Sequence, residues 1–381
     1  MKDVYYWSPC LTEVGTYKST INSAISIAKY SNRRYSVKII NSCGEWDTQK
    51  ELFKKYKIEL INLGFNYFKF LPKTGFLKSR FSYLIIFLLS FFPLMKLLHK
   101  EKPHFLIIHL LTILPLFIKS LKKNKTKIIL RISGFPKLNF FRKMIWKISS
   151  ENIYKITCPS EQLKEQIILK KIFLESKIFF LPDPIINISE FKKNFKKEID
   201  LSKKKYFISV GRLTNQKNFS YLIDEFSEFI KINFDYDLYI YGDGEDRIKL
   251  QDQIDKKKVN DRIFLKGYSN QIYFHMRNAE SFILTSLWED PGFVLVEAAM
   301  NNLFIISSNC KNGPTEILNY GDGGILFESN KKNALFNSLK DFLNFRNSKN
   351  YYSKIKFAKT NCKKYTLLRH YNLLKTNILR F

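Results

Sequence analysis

Acidic side chains are scarce in this sequence. Its 381 residues contain 34 Asp and Glu against 64 Lys and Arg, for a net charge of +30. The deficit is local. Residues 51–150 hold 3 acidic side chains against 20 basic ones, and residues 351–381 hold 8 basic and none acidic, whereas 201–350 are near balance at 19 against 20. A positive half attracts phosphate, whether on anionic lipid, on a pyrophosphate or on nucleic acid; a solvated Lys-rich surface is the plainer alternative. Cysteine is sparse as well. Cys10, Cys43, Cys158, Cys310 and Cys362 are odd in number and widely spaced, with no C-x-x-C. That argues against a disulfide framework and a thiolate zinc site, and it fits a reducing cytosol. Glycine totals 14, and neither G-x-x-x-x-G-K-[ST] nor G-x-G-x-x-G occurs, so NTPase and dehydrogenase readings lack their phosphate loops. The first residues, MKDVYYWSPC, have no apolar signal-peptide core.

Apolar side chains are plentiful at 45%, enough for two buried cores and too many for a disordered chain. Apolar runs alternate with helix-like stretches. Ser36–Ile40, Phe105–His109, Lys127–Ile132 and Tyr154–Ser160 read as buried strands, and Ser160 reads as the N-cap of a helix through Lys171. After the proline-bearing Phe179–Ile186 and a polar stretch, the pattern resumes with Tyr206–Gly211, Leu238–Gly242, Ile263–Gly267, Ser281–Ser286 and Phe304–Ser308. The alternation predicts an α/β fold, two Rossmann-like α/β/α domains facing across a cleft, divided near residues 183–200. The expected parts are 1–185, 186–355 and a basic helix at 356–381 packing back on the first domain. Ligands of open α/β sheets bind beyond the carboxyl ends of the strands, which is where the polar motifs fall. The run Phe81–Leu98, flanked by Lys78, Arg80, Lys96 and Lys100, is marginal for a membrane span and interrupted by Pro93 and Lys96. It reads as a helix that is partly core and partly docked on an anionic membrane surface.

Two constellations carry chemistry. In SVGRLTNQKNFSYLIDEF, Gly211 ends a strand, Arg212 follows, and Lys217 precedes a helix starting around Phe219. A planar fork and a point charge at the mouth of a strand–loop–helix unit suit a diphosphate; surface cations in a loop are the alternative. In SLWEDPGFVLVEAAMNN, Glu289 and Glu297 bracket Pro291 and Gly292, where a helix should begin, so that its first free N–H groups, near Phe293 and Val294, offer a phosphate site. An ordinary helix N-terminus with dipole-favoured acids is the alternative.

GRLTNQKN followed by EDPGFVLVE resembles the GT4 family of retaining glycosyltransferases with the GT-B fold. The match is dense from about Ser209 to Phe327, where YGDGEDRIKL (Gly242, Gly244), FLKGYSNQ (Gly267) and CKNGPTEILNYGDGGILF also resemble the family's donor domain. The resemblance implies that Glu289 meets the transferred sugar, that Glu297 meets the ribose hydroxyls, and that Arg212 and Lys217 hold the diphosphate and stabilise the leaving group. Gly211, Gly242, Gly267, Pro291, Gly292, Phe293 and Val294 are implied to border the donor. In the first half, LTEVGTYKST matches less well: Gly15 and Thr16 stand where the family has a Gly pair before a helix, with Val14 in front, and Gly15 is either a close approach to the donor or a turn. Similar enzymes often carry a histidine near His109 that meets the donor sugar; a histidine satisfied by its own backbone neighbours is the alternative. Arg131–Asn139 sits where an acceptor-side loop would be.

The resemblance implies a hexose or N-acetylhexosamine moved from a nucleoside-diphosphate sugar, UDP in preference to GDP, to a glycan or polyprenyl- or lipid-linked acceptor with retention. The setting is cell-surface polysaccharide or lipopolysaccharide synthesis at the inner face of the cell membrane. Neither a metal nor a cofactor is expected, because cations and N–H groups would take up the leaving-group charge. Asp235-Tyr236-Asp237 looks like a metal motif but reads as a loop before a strand, and His99, His104 and His109 do not share one helical face. The rivals are a nucleic-acid-binding protein, an inactive GT-B partner subunit, and a phosphorylase of similar fold. The aromatics fall in core runs rather than along a basic groove, the paired Glu and the cations are intact, and no pyridoxal lysine is evident.

Overall fold

The structure, a computed structural model, describes residues 1–13, 15–64, 66–73, 76–121, 124–136, 140–189, 191, 205–346 and 348–379. The chain divides into two compact units, Met1–Ile185 with Thr366–Phe381, and Ile186–Tyr365. Most of the sequence-expected boundary, near 183–200, lies outside the described residues, as does Val14.

The first unit is built on seven strands: β1 (Lys2–Trp7), β2 (Tyr35–Asn41), β3 (Glu59–Asn62), β4 (Phe105–Ile108), β5 (Lys127–Arg131), β6 (Ile153–Cys158) and β7 (Ile178–Phe180). They pair in parallel in the order 3-2-1-4-5-6-7. The central strand β4, FLII, is buried along its whole length, which is why it reads as an unbroken apolar run. Two cores cover the sheet. One joins Leu94, Leu98, Leu114, Leu116 and Trp146 to the strands; the other joins helix Gly15–Tyr30 to Leu367, Tyr371 and Leu374. Ser160 caps helix Glu161–Leu169, its Oγ accepting from Leu163 N–H at 3.2 Å.

Helix Phe76–Glu101 continues through Pro93 and Lys96, the two residues that interrupt its apolar run. A proline inside a helix costs about 3 kcal/mol. Burial of Leu94 and Leu98 just beyond it, at about 1.5–3 kcal/mol each, offsets that cost. Ser82, Ile86, Ser90, Leu94 and Leu98 face inward, while Leu77, Phe81, Leu84, Leu88 and Phe92 are exposed at helical spacing on the other side. From Leu77 the helix is long and apolar enough to cross a membrane, by length and composition.

The second unit repeats the plan with β8 (Lys205–Val210), β9 (Tyr236–Tyr241), β10 (Ile263–Gly267), β11 (Ser281–Leu284), β12 (Ile305–Ser308) and β13 (Ile325–Phe327). All pair in parallel, in the order 10-9-8-11-12-13. Counted from its own first strand, each sheet runs 3-2-1-4-5-6, the first adding a seventh strand at its edge, so the strand order reverses between the first and fourth strands and opens a crevice at their carboxyl ends. The second metal-like aspartate is not in a loop. Asp237 is buried inside β9 and pairs with Arg262 at 2.9 Å. Residues 356–381 are not a single helix either: Lys349–Cys362 belongs to the second unit, where Ile355 packs on the core, and Leu367–Asn377 belongs to the first.

Candidate active site

Three strand ends of the second unit meet through glycine. A Cβ on Gly242, whose φ is +133°, would lie 1.9 Å from the Gly211 carbonyl oxygen, and one on Gly244 would lie 2.3 Å from that of Leu213. The loops after β8 and β9 therefore touch backbone to backbone, fixed by Gly211 N–H to Tyr241 O and Leu213 N–H to Asp243 O, both at 3.0 Å. Gly242 N–H donates to Gly267 O at 2.9 Å and ties in β10. Gly267, with φ +72°, has the Arg247 guanidinium 4.0 Å from its Cβ position.

On this platform, Asn215–Lys217 forms a short 3₁₀ turn, and Asn218, left-handed at φ 52°, starts helix Phe219–Ile230. The turn is stitched to the loop after β11. Leu287 N–H donates to Gln216 O at 2.9 Å, Gln216 Nε2 donates to Trp288 O at 2.9 Å, and Thr285 Oγ1 donates to Lys217 O at 3.0 Å. The Lys217 stem lies over Gly211, its Cε, Cδ and Cγ 3.1–3.2 Å from where a Cβ would be. Its Nζ then reaches Glu289 Oε1 at 2.5 Å, and the Ser286 hydroxyl donates to the same oxygen at 2.5 Å. Lys217 and Glu289 are 14% and 5% exposed, so the charges are held in a largely dry place where a bound anion would feel them strongly. Arg212, one residue past Gly211, is exposed and forms no salt bridge among the described residues.

Helix Phe293–Met300 begins after Gly292, left-handed at φ 92°, and no side chain caps it. Its first N–H groups are those a helix leaves unpaired. Phe293 and Val294 are half-buried, and Pro291 and Gly292 are buried. Gly313 secures the approach: a Cβ there would lie 1.9 Å from the Pro291 carbonyl oxygen. Glu297, on the second turn, accepts from the Tyr273 hydroxyl at 3.1 Å. The two glutamates therefore have separate partners, Glu289 on Lys217 and Ser286, Glu297 on Tyr273.

The residues singled out in the first half belong to the first unit. Gly15 and Thr16 open helix Gly15–Tyr30, Gly15 being exposed. His109 follows β4 and is buried; its N–H donates to Trp7 O at 3.0 Å, and its Nδ1 lies 3.2 Å from Thr20 Oγ1. Burial, with Arg131 and His370 nearby, pushes its pKa well below the usual imidazole value. Arg131 opens the expected acceptor-side loop and pairs with buried Asp183; residues 137–139 of that loop lie outside the described residues. Among the described residues, no group of three or more His, Cys, Asp or Glu could hold a metal ion.

Sequence reasoning passed over Ser286, Gln216, Tyr273 and Gly313. Ser286, Gln216 and Gly313 lie inside segments already marked, at a strand end, beside Lys217 and in an Asn-Gly-Pro turn. Tyr273 carries no local signal.

Residues 190–358 match the family model described as "Glycosyl transferases group 1". An uncharacterized glycosyltransferase of Methanocaldococcus jannaschii is 38% identical over 112 residues, covering 29% of this chain and 28% of that protein. The Escherichia coli UDP-Gal:alpha-D-GlcNAc-diphosphoundecaprenol alpha-1,3-galactosyltransferase is 30% identical over 199 residues, covering 49% and 50%. The matched regions thus span between about a quarter and a half of these curated relatives. Solved structures are similar over nearly the full length. A glycosyltransferase from Rickettsia africae has a TM-score of 0.73 at 15% identity, covering 97% of this chain and 96% of that one. The lipopolysaccharide outer core galactosyltransferase WaaB has 0.72 at 17%, covering 99% of both. Residues 190–358 thus belong to the group 1 glycosyltransferases, and with two parallel sheets of this order the chain has the GT-B fold.

Proposed function

We propose that this protein is a retaining, metal-independent glycosyltransferase. It would move a hexose or N-acetylhexosamine from a nucleoside-diphosphate sugar, UDP in preference to GDP, to a hydroxyl of a glycan or lipid-linked acceptor in cell-surface polysaccharide or lipopolysaccharide synthesis. The observation that carries the reading is the cluster at the carboxyl end of β8 and β11: exposed Arg212, Lys217 held on Glu289, and the uncapped helix start at Phe293. These groups present positive charge and N–H donors to one diphosphate. Departure of the nucleoside diphosphate builds negative charge on its oxygens, and fixed donors stabilise that charge more than the ground state. Lys217 would then divide its charge between Glu289 and the leaving phosphate, while Glu289, held by Lys217 and Ser286, would orient hydroxyls of the transferred sugar. Tyr273 orients the Glu297 carboxylate for a ribose diol. The E. coli relative is named for coupling a UDP-sugar to a diphosphoundecaprenol glycan, which supports both the base and the acceptor class. Docking on the anionic inner membrane surface rests on the exposed Leu77, Phe81, Leu84, Leu88 and Phe92 together with the basic excess of residues 51–150.

The test is a screen of UDP- and GDP-sugars with a membrane lipid extract as acceptor, in EDTA, following nucleoside diphosphate release and the anomeric configuration of the product. Release from a UDP-sugar with a retained anomer is expected. Arg212→Ala should lower turnover by about 10²–10³, the usual cost of one preorganised donor to a developing anion. An inverted product, a requirement for divalent metal, or an Arg212→Ala enzyme near normal at saturating donor would each contradict the assignment.

A further inference from the structure

Three adjacent strands of the second sheet lead into a serine: Ser286 two residues beyond β11, Ser308 at the end of β12, and Ser329 two residues beyond β13. Their hydroxyls are linked. Ser308 Oγ donates to the Ser286 carbonyl oxygen at 2.7 Å, and Ser329 Oγ donates to the same oxygen at 3.2 Å. A carbonyl oxygen has two lone pairs, and both are used. Ser329 is itself set by its N–H, which donates to Asn309 Oδ1 at 3.0 Å. Ser286 and Ser308 are fully buried. The Ser286 peptide is thus fixed from two neighbouring strand ends, and its own hydroxyl is aimed at Glu289.

That aim divides the carboxylate. Each of its two oxygens has two acceptor sites. Oε1 takes the Ser286 hydroxyl and the Lys217 ammonium, both at 2.5 Å, and is saturated. Oε2 takes no hydrogen bond among the described residues, and it is not sealed from solvent. The backbone beneath is pinned too, Glu289 N–H donating to Lys311 O at 3.0 Å. Cys310, buried beside the pair, has its pKa pushed up to about 12 by burial and stays a neutral thiol that brings no charge of its own. Glu289 therefore turns one oxygen into the protein and offers the other to a ligand. One oxygen can take one hydroxyl; a grip on two neighbouring hydroxyls would need both.

The two donors to Oε1 are not equivalent. An ammonium on a flexible stem is a mobile point charge, and a growing charge on a leaving phosphate would draw it away. The Ser286 hydroxyl has no other acceptor among the described residues, and its peptide is held on both sides. Its bond to Oε1 would outlast a shift of Lys217.

We infer that Ser286 is a positioning residue for sugar transfer: it locks Oε1, so that Glu289 meets a single hydroxyl of the transferred sugar through Oε2, while Ser308 and Ser329 hold Ser286 in place. This rests on the transferase reading above. Ser286 acts through Glu289 and touches neither sugar nor diphosphate.

The experiment uses the full chain and the UDP- or GDP-sugar that the donor screen finds turned over fastest. Ser286→Ala should leave calorimetric binding of the bare nucleoside diphosphate unchanged and lower kcat about 10–100-fold, the worth of one hydrogen bond to a charged group. Ser286→Thr, which keeps the hydroxyl, should recover most of it. Ser329→Ala, at a half-buried site, should lower kcat less, and should add nothing in the Ser286→Ala background, because both act along one chain. Across monodeoxy analogues of the donor sugar, the Ser286→Ala penalty should vanish for one hydroxyl position alone. An unchanged kcat, an equal fall in nucleoside diphosphate binding, additive Ser286 and Ser329 effects, or a penalty that vanishes at two positions would each overturn the inference. Thermal melts give an arm without turnover: the drop caused by Ser286→Ala should shrink once Glu289 is replaced by Gln, and an equal drop in both backgrounds would show that the hydroxyl does not hold the carboxylate. A wild type that releases no nucleoside diphosphate from any donor sinks the transferase reading, whereas a working enzyme indifferent to Ser286→Ala sinks this inference alone.

Discussion

Gly211 and Lys217 share one small volume at the end of β8. Ala at Gly211 would place a methyl 3.1–3.2 Å from three carbons of the lysine stem, which is flexible and can give way, and Gly211 does not need a positive φ. Ala at Gly242 would meet a backbone oxygen at 1.9 Å from a φ of +133°, and the backbone cannot give. The two glycines therefore fail in different ways. Gly211→Ala is expected to change stability by less than about 1 kcal/mol, the range of a well-tolerated substitution, while turnover drops as Nζ is pushed off its position beside Glu289. Gly242→Ala is expected to cost more than about 3 kcal/mol, because strain and overlap add. Thermal melts and donor kinetics on both variants check this; a Gly211→Ala enzyme with unchanged kcat would show that the lysine stem has no fixed place. Lys217→Ala belongs with them. It leaves Glu289 buried without its counter-ion, so it should cost stability as well as turnover, whereas Arg212→Ala, on an exposed side chain, should cost turnover alone.

At the scale of the element, helix Phe76–Glu101 is divided lengthwise into a buried face and an exposed apolar one. The exposed face is repeated on its neighbours: Phe117 and Leu121 on helix Ile113–Leu121, and Phe140, Met144 and Ile148 on Phe140–Ser149, each four residues from the last. Lys119, Arg142, Lys143 and Lys147 lie on these two short helices. If this surface docks on anionic lipid, replacing Leu84 and Leu88 by Glu should release the protein from phosphatidylglycerol vesicles without lowering its melting temperature, since neither side chain is in the core. Retention of the double variant on sedimented vesicles would refute docking through this face.

Much of this architecture was legible because parallel strands buried on both sides read as apolar runs. β4, β5, β6, β8, β11 and β12 all announced themselves so, and the edge strand β10 was read from its apolar residues as well. β1, β3 and β7 were passed over. β3 and β7 are edge strands, of four and three residues, and Glu59 and Asn62 of β3 are exposed; β1 is interior, but its buried run at Val4–Trp7 is mostly Tyr and Trp. Asp237 misled because an acid near a strand end usually marks a turn, and its pairing with Arg262, 25 positions on, has no local trace. The site divides along the same line. The Arg212–Lys217 and Glu289–Glu297 spacings lie within single loop–helix segments and could be read. The hydrogen bonds of Gln216 to Trp288 and of Tyr273 to Glu297 join segments 72 and 24 residues apart, brought together only when the sheet forms.

For the molecule as a whole, the return of the chain at Thr366 completes the first unit. Helix Leu367–Asn377 carries His370 into its interior, fully buried, with Nε2 2.9 Å from Ser23 Oγ and Nδ1 2.8 Å from Pro182 O. Burial pulls its pKa down to about 3, and that of His109 well below the usual value. In the unfolded chain both would titrate near 6.5. Below that pH the unfolded state takes up protons that the folded state refuses, so the stability these residues confer is complete above about pH 6.5 and is lost as pH falls through it toward 3. Each contributes a slope of up to about 1.4 kcal/mol per pH unit. Glu45, buried with its pKa raised, opposes them just above pH 4.5, since its folded form holds a proton the unfolded chain has released. Urea unfolding of the full chain between pH 7 and 5, read by tryptophan fluorescence, should therefore show stability falling as the solution is acidified. The probe is apt, because Trp7, Trp46 and Trp146 lie in the first unit and only Trp288 in the second. His370→Gln should start less stable, having lost a bridge between Ser23 and Pro182, yet lose less on acidification, by about one proton's share of the slope. Parallel pH profiles for the two proteins would mean that His370 is not held neutral inside the fold.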